Sequence, residues 1–383
     1  MHAEFILILS LAVIILISPF ISSIFRFPIL AVEIILGAIF GFIGLIGENE
    51  IFSLLSETGF LYLMLLAGME INLKEMFKLE KKIFIYAVLF LILMYLLSLL
   101  SVFFLGFSKI FIVVFPLVSV GLILSLQQEI GKKEWLELAM KVGVIAEVVS
   151  IIVLTLLSSY FEFGFTHRFF VNISILMAVL ISLAVLFFIM RTLFWWFPEI
   201  KFYLMPGIDK YHQDVRIAIS LFFIVIVLLY KIGIDAVLGA FVVGVFLKTF
   251  FEHNKSLEHK LAPFGFGFLI PIFFVHVGSS LDIKLLSSTM LVDSFYIVLL
   301  MILIRIFASS VFFRVLNLKS ILFGISLSMP LTLMIAVAAL AHQNRTINDY
   351  WYNVLVVAAV MEVIVVMIGI KVLNRFIVKS FHF

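Results

Sequence analysis

The sequence predicts an all-α polytopic membrane protein with about thirteen transmembrane helices, and three observations carry that prediction. Of its 383 residues 65% are hydrophobic and 13% charged, with a mean hydropathy of +1.31; a soluble domain has far more charge. Its apolar residues gather into runs long enough to approach the thickness of a hydrocarbon layer. Its basic residues concentrate in alternate connections between those runs, as the positive-inside rule requires.

Taken in order, the first run, 3–24, begins after only His2 and Glu4 and has neither a basic leader nor a small-x-small cleavage site, so it reads as a retained helix. The runs at 28–46 and 51–70 are glycine-marked and carry Glu33 and Glu70. Next come 83–105 and 107–127, the latter interrupted by Pro116, Ser119 and Gly121. The run at 136–160 holds Glu147 and is followed by 167–190. A basic, proline-marked connection over 191–213 reads as an interfacial segment joining two bundles rather than as a domain. Beyond it lie 213–230, 232–251, 259–280, 291–313 with Arg305, 320–341 with Gly324, Ser326, Ser328 and Pro330, and 350–378.

With the N-terminus outside, the cytoplasmic connections hold Arg26, Lys74, Lys78, Lys81, Lys82, Lys132, Lys133, Arg191, Lys201, Lys210, Arg216, Lys248, Lys255, Lys260, Arg314 and Lys319. The opposite connections hold only Lys109, Arg168, Lys231, Lys284 and Arg345. This asymmetry predicts an outside N-terminus and a cytoplasmic C-terminus.

Composition also excludes function classes. No cysteine is present, so thiol chemistry and thiolate metal sites are excluded, and a bacterial inner membrane suits the chain. The net charge of +3 is dispersed through short loops, which argues against a nucleic-acid partner. No nucleophile–base–acceptor arrangement points to an enzyme, no repeated filter motif points to a channel, and no cofactor is expected.

Two charges stand out. Glu147 lies eight residues from Ala139, near the cytoplasmic start of its span, and Arg305 eight residues from Phe313, near the cytoplasmic end of its own, so each is about 12 Å deep at 1.5 Å per residue, near the middle of a layer about 30 Å thick. Intramembrane charges are expensive and mark functional sites by default. Equal depth and opposite sign allow them to pair, in a transport site or in a structural clamp that transports nothing; the other role open to Arg305 is to satisfy the dipoles of crossing helices. Proline at 116 and at 330 removes a helical N–H near the same depth, so unwound backbone can face an ion there. The triplets 83–160 and 291–378 then compare as inverted repeats whose two broken helices cross at the site.

At this point the sequence resembles a known family. GFLYLMLLAGMEINLKEM at 59–76 is similar to a Leu-x-x-Ala-Gly-Leu-Glu signature, with Met69 in place of leucine before Glu70. PILAVEIILGAIFGFIGLIG at 28–47, IDAVLGAFVVGVFL at 234–247 and FLIPIFFVHVGSSLDI at 268–283 are similar to three further motifs, in the same order. The family is that of the monovalent cation:proton antiporters, including NapA-type sodium/proton exchangers and the membrane part of Kef-type potassium/proton systems. Where members carry Asp-Asp, Asn-Asp or Gln-Asp this chain has Ala146-Glu147, so the first polar residue is missing.

The resemblance implies sodium/proton exchange by alternating access, with potassium/proton exchange, a partner-dependent protein or a non-transporting protein as alternatives. Glu147 is the expected carrier for which proton and cation compete, Arg305 its counter-charge, and Ser119 a further ligand for sodium or potassium. Glu70, Pro116, Gly121 and Pro330 support the site. Glu362 and His276 read as buried polar structure, Glu33 as solvated or clamped with ion contact as its alternative, and Lys141 as a snorkelling border residue. A moving core over 83–160 and 291–378, scaffold or dimer helices over 3–46 and 213–251, a homodimer in lipid, and no soluble regulatory domain complete the expectation. A separate regulatory chain is a further partner to consider.

Overall fold

The structure, a computed structural model, describes residues 2–25, 27–47, 49–70, 80–131, 133–196, 212–232, 236–250, 256–281 and 287–379. Secondary structure among them is helical throughout. In chain order the helices are α1 (His2–Phe25), α2 (Ile29–Phe42), α3 (Glu50–Glu70), α4 (Lys81–Leu105), α5 (Phe111–Val114) and α6 (Gly121–Ile130). Then follow α7 (Glu134–Phe163), α8 (His167–Trp196), α9 (Gln213–Ile232), α10 (Ala236–Phe250) and α11 (Ser256–Phe264), the last continuing through a wide π turn into α12 (Ile270–Ser279). The chain closes with α13 (Ser288–Ala308), the short α14 (Phe313–Leu316), α15 (Lys319–Ser326), α16 (Leu331–Gln343) and α17 (Asp349–Lys379).

The polytopic helical character stands, but the expected thirteen spans are corrected. Among the described residues seven helices are long and apolar enough to cross a membrane, or up to eight if the bent pair α15 and α16 is one span. Two expected spans, 28–46 and 232–251, form helices of 14 and 15 residues, about 22 Å at 1.5 Å per residue and short of a layer about 30 Å thick. The run at 107–127 yields only α5, of four residues, and α6, of ten, with non-helical backbone between them. The run at 320–341 bends by 43° between α15 and α16. The runs at 136–160 and 167–190 lie in α7 and α8, which do not enter the count. Mean hydropathy over a window reports apolar content and is blind to where the backbone stops being helical.

The chain divides into two compact units, one formed by 1–74 with 155–280 and the other by 75–154 with 281–383. The first is knitted by glycine. A Cβ added to Gly68 on α3 would lie 2.0 Å from the Phe241 carbonyl oxygen on α10, and one on Gly244 would lie 2.1 Å from that of Leu65. Likewise a Cβ at Gly37 on α2 would meet the Val275 carbonyl at 2.4 Å, and at Gly278 on α12 the Ile34 carbonyl at 2.1 Å. Lipid supplies no hydrophobic drive between helices, so backbones that approach this closely through small residues gain dispersion instead. The four sequence motifs thereby pack as two pairs, α2 with α12 and α3 with α10.

In the second unit α13 packs along α17, tied by Ser294 Oγ donating to Val354 O (3.1 Å) and Tyr350 Oη donating to Asp293 Oδ2 (2.6 Å). Ser98 on α4 reaches the Phe111 and Ile112 carbonyls of α5 at 3.2 and 3.0 Å. Rings of Phe90, Phe312 and Phe323 fill the contact between α4, the turn after α13, and α15. Both interrupted helices belong to this unit.

Candidate functional site

Pro116 has no N–H, and after it the backbone is not helical until α6 starts at Gly121. The peptide groups released there lie buried and must find partners. Helix α7 supplies two acceptors one turn apart. The Val118 N–H donates to Ser150 Oγ at 3.1 Å, and the Val120 N–H donates to Glu147 Oε2 at 3.3 Å. Ser150 in turn donates to the Ala146 carbonyl at 2.9 Å. Glu147 therefore accepts from the residue that precedes α6, where the positive end of the helix dipole favours a carboxylate. Its other oxygen, Oε1, accepts from Ser119 Oγ at 2.9 Å.

The second break runs over 327–330, with Pro330 opening α16. Arg305 on α13 joins the two breaks. Its Nε donates to the Leu327 carbonyl at 3.1 Å, its Nη2 to the Leu117 carbonyl, and its Nη1 back to Met301 O at 2.9 Å. A close approach of α15 to α13 allows this reach, since a Cβ on Gly324 would lie 2.8 Å from the Arg305 carbonyl oxygen. A guanidinium, planar and permanently charged, suits a position that must hold several carbonyls in fixed directions.

The ionic partner of Arg305 is Glu362 on α17, with Nη1 to Oε1 at 3.7 Å. The same Oε1 accepts from Ser328 Oγ, in the second break, at 2.8 Å, while Oε2 has no hydrogen-bond partner. The structure thus brings Ser119 to Glu147, as expected, and brings Arg305 to Glu362 instead. No ion pair joins Glu147 to any basic side chain among the described residues. Glu362 entered the sequence reading only as polar structure; a buried acid on the last span was its one signal.

Glu147, Arg305 and Glu362 are all buried, with at most 2% exposure. The Arg305 and Glu362 charges offset each other, so Glu147 is left with neutral donors only. A carboxylate in that position needs a proton or a cation for company. Its Oε1 has a hydroxyl oxygen beside it, Ser119 Oγ, which in turn lies 3.5 Å from Thr332 Oγ1 on the first turn of α16. Hard monovalent cations bind such oxygens. Among the described residues no group of three His, Cys, Asp or Glu is placed to hold a transition metal.

Gly121 and Pro330 sit at the two breaks, and Lys141 is exposed. Glu33 is buried on α2 in the other unit, its Oε2 without a partner. His276 on α12 meets the Phe52 ring edge-on at 4.9 Å. Glu70 ends α3 and its side chain lies outside the described residues.

Comparison with known proteins gives the family and the fold. The chain is 29% identical over 379 residues to the putative Na(+)/H(+) antiporter YjbQ of Bacillus subtilis, covering 91% of this chain and 59% of that protein. It spans therefore well under two thirds of that relative's length. It is 28% identical over 289 residues to the probable Na(+)/H(+) antiporter 3 of Methanocaldococcus jannaschii, covering 71% of this chain and 70% of the other. The solved sodium proton antiporter MjNhaP1 of the same organism shares the fold, with a TM-score of 0.70 over 97% of this chain and 99% of that one, at 14% identity. The family model described as sodium/hydrogen exchanger, transmembrane, matches residues 9–375. With nearly the whole chain matched, this protein belongs to the sodium/hydrogen exchanger family.

Proposed function

We propose that the chain exchanges sodium for protons across a membrane, with both competing for Glu147. The observation that carries this reading is the charge balance of the second unit: Arg305 is matched by Glu362, and Glu147 is buried with uncharged donors alone. A buried carboxylate of this kind is stable when loaded with a proton or a cation and costly when bare. Mutual exclusion at one group is enough for exchange. The curated relatives are named as Na(+)/H(+) antiporters, which supports sodium as the cation. With Ala146 beside it, Glu147 has no second carboxylate, and one proton per sodium is the expected ratio.

In this reading the unit bearing Glu147 and both breaks, corresponding to 83–160 and 291–378, is the moving part in alternating access. The division of the chain into two compact units supports it. Helices of 3–46 and 213–251 would serve as scaffold and homodimer contacts in the inner membrane, with an outside N-terminus. The basic-residue asymmetry supports that orientation.

The test is proton flux in sealed proteoliposomes under a voltage clamp, with sodium or potassium added separately, comparing the unaltered protein with folded Glu147→Gln. Sodium-dependent proton flux that disappears in the variant is the expected result. Undiminished exchange by the variant would remove Glu147 from its role.

A further inference from the structure

We infer that Thr332 is a cation ligand contributed by the second broken helix, so that the site is closed from both breaks; this rests on the reading of Glu147 as the cation carrier. Three observations converge on it.

Thr332 Oγ1 stands 3.5 Å from Ser119 Oγ. That is long for a hydroxyl–hydroxyl hydrogen bond, whose usual range is about 2.5–3.0 Å. It is close to the edge of a coordination polyhedron: two oxygens at right angles about a hard cation, each about 2.4 Å away, are separated by about 3.4 Å. Ser119 Oγ is in turn 2.9 Å from Glu147 Oε1. Ser119 Oγ thus has a carboxylate oxygen from α7 and a hydroxyl from α16 as neighbours, the three oxygens that we assign to one ion.

Accessibility singles out the same residue. From Leu322 to Ala338 every side chain on α15, the second break and the first half of α16 is buried except Thr332, which is partly exposed. On the first break, residues 114–120 are all buried. A cation needs a path to Glu147, and in this stretch Thr332, on the first turn of α16, is the side chain that is not fully buried.

The third observation concerns the backbone. One carbonyl at each break is already engaged, Leu117 O and Leu327 O by Arg305. Neither of these is free to hold a cation, and on the α16 side Thr332 provides a hydroxyl beside Ser119. Its role differs from that of Glu147: it carries neither charge nor proton, and sets how tightly the cation is held and how well its size matches the site.

Sodium-dependent proton flux in proteoliposomes tests this with Thr332→Ala, Thr332→Ser and Thr332→Val beside Glu147→Gln. Because the side chain is partly exposed and small, the variants are expected to fold, and size-exclusion behaviour and unfolding temperature check that. The expected result is a five- to tenfold rise in the sodium concentration for half-maximal flux in the alanine and valine variants, with the maximal rate within about twofold. The serine variant, which keeps the hydroxyl, should stay near the unaltered protein. An unchanged half-maximal concentration in folded Thr332→Ala, while Glu147→Gln is inactive, would overturn the assignment of Thr332 and leave that of Glu147 intact. Exchange that persists in Glu147→Gln would overturn both.

Discussion

Arg305 is predicted to act as a clamp that stabilises the two breaks, and its removal has a calculable cost. Arg305→Gln withdraws the charge facing Glu362 and the donors to the Leu117 and Leu327 carbonyls. Removing one partner of a buried ion pair costs about 3–5 kcal/mol, because the other charge stays buried and uncompensated. Each orphaned buried carbonyl adds about 1–3 kcal/mol. The single variant should therefore lose at least about 5 kcal/mol, a large share of the roughly 5–15 kcal/mol that stabilises a folded domain. Adding Glu362→Gln removes the stranded carboxylate while Ser328 can still donate to the amide oxygen, so the double variant should be more stable than Arg305→Gln alone. A double-mutant cycle should yield a coupling energy of about 2–3 kcal/mol. The assay is equilibrium denaturation in detergent micelles, followed by near-UV circular dichroism. Additive losses, with coupling near zero, would refute the clamp and show that the charges act independently.

Two further predictions concern the scaffold of the site and the first unit. Ser150→Ala orphans the Val118 N–H and should cost about 1–3 kcal/mol; an unchanged unfolding midpoint would mean that another group receives that donor. Gly68→Ala places a methyl group 2.0 Å from the Phe241 carbonyl oxygen, so α3 and α10 must separate. Its unfolding temperature and folded yield should fall sharply, whereas Gly47→Ala, with open space around it, should leave both unchanged.

How much of this was legible in the sequence varies with the kind of information required. Glu147 and the prolines at 116 and 330 are visible because charge and helix breaking in an apolar run are local properties. The partner of Arg305 is not local. Depth along the membrane normal follows from residue counting, but azimuth around it does not, and two charges at one depth can face different neighbours. Arg305 accordingly meets Glu362, fifty-seven residues later in the chain. Thr332 was invisible for a similar reason: a threonine two residues after a proline is ordinary until the break turns it toward Ser119. The number of spans is illegible on another ground: apolar length is not helical length, and α2 and the α5 and α6 pieces are shorter than their apolar runs.

The central claim is that proton and sodium exclude each other at Glu147. Its most direct test is the sodium dependence of proton flux at a series of pH values, equal on both sides of the vesicle and with voltage clamped. Competition at one carboxylate predicts that the half-maximal sodium concentration rises as pH falls, approaching about tenfold per pH unit once the group is mostly protonated, while the maximal rate at saturating sodium stays constant. A half-maximal concentration that does not change with pH, with protons altering only the maximal rate, would contradict it and place the two ions on separate groups.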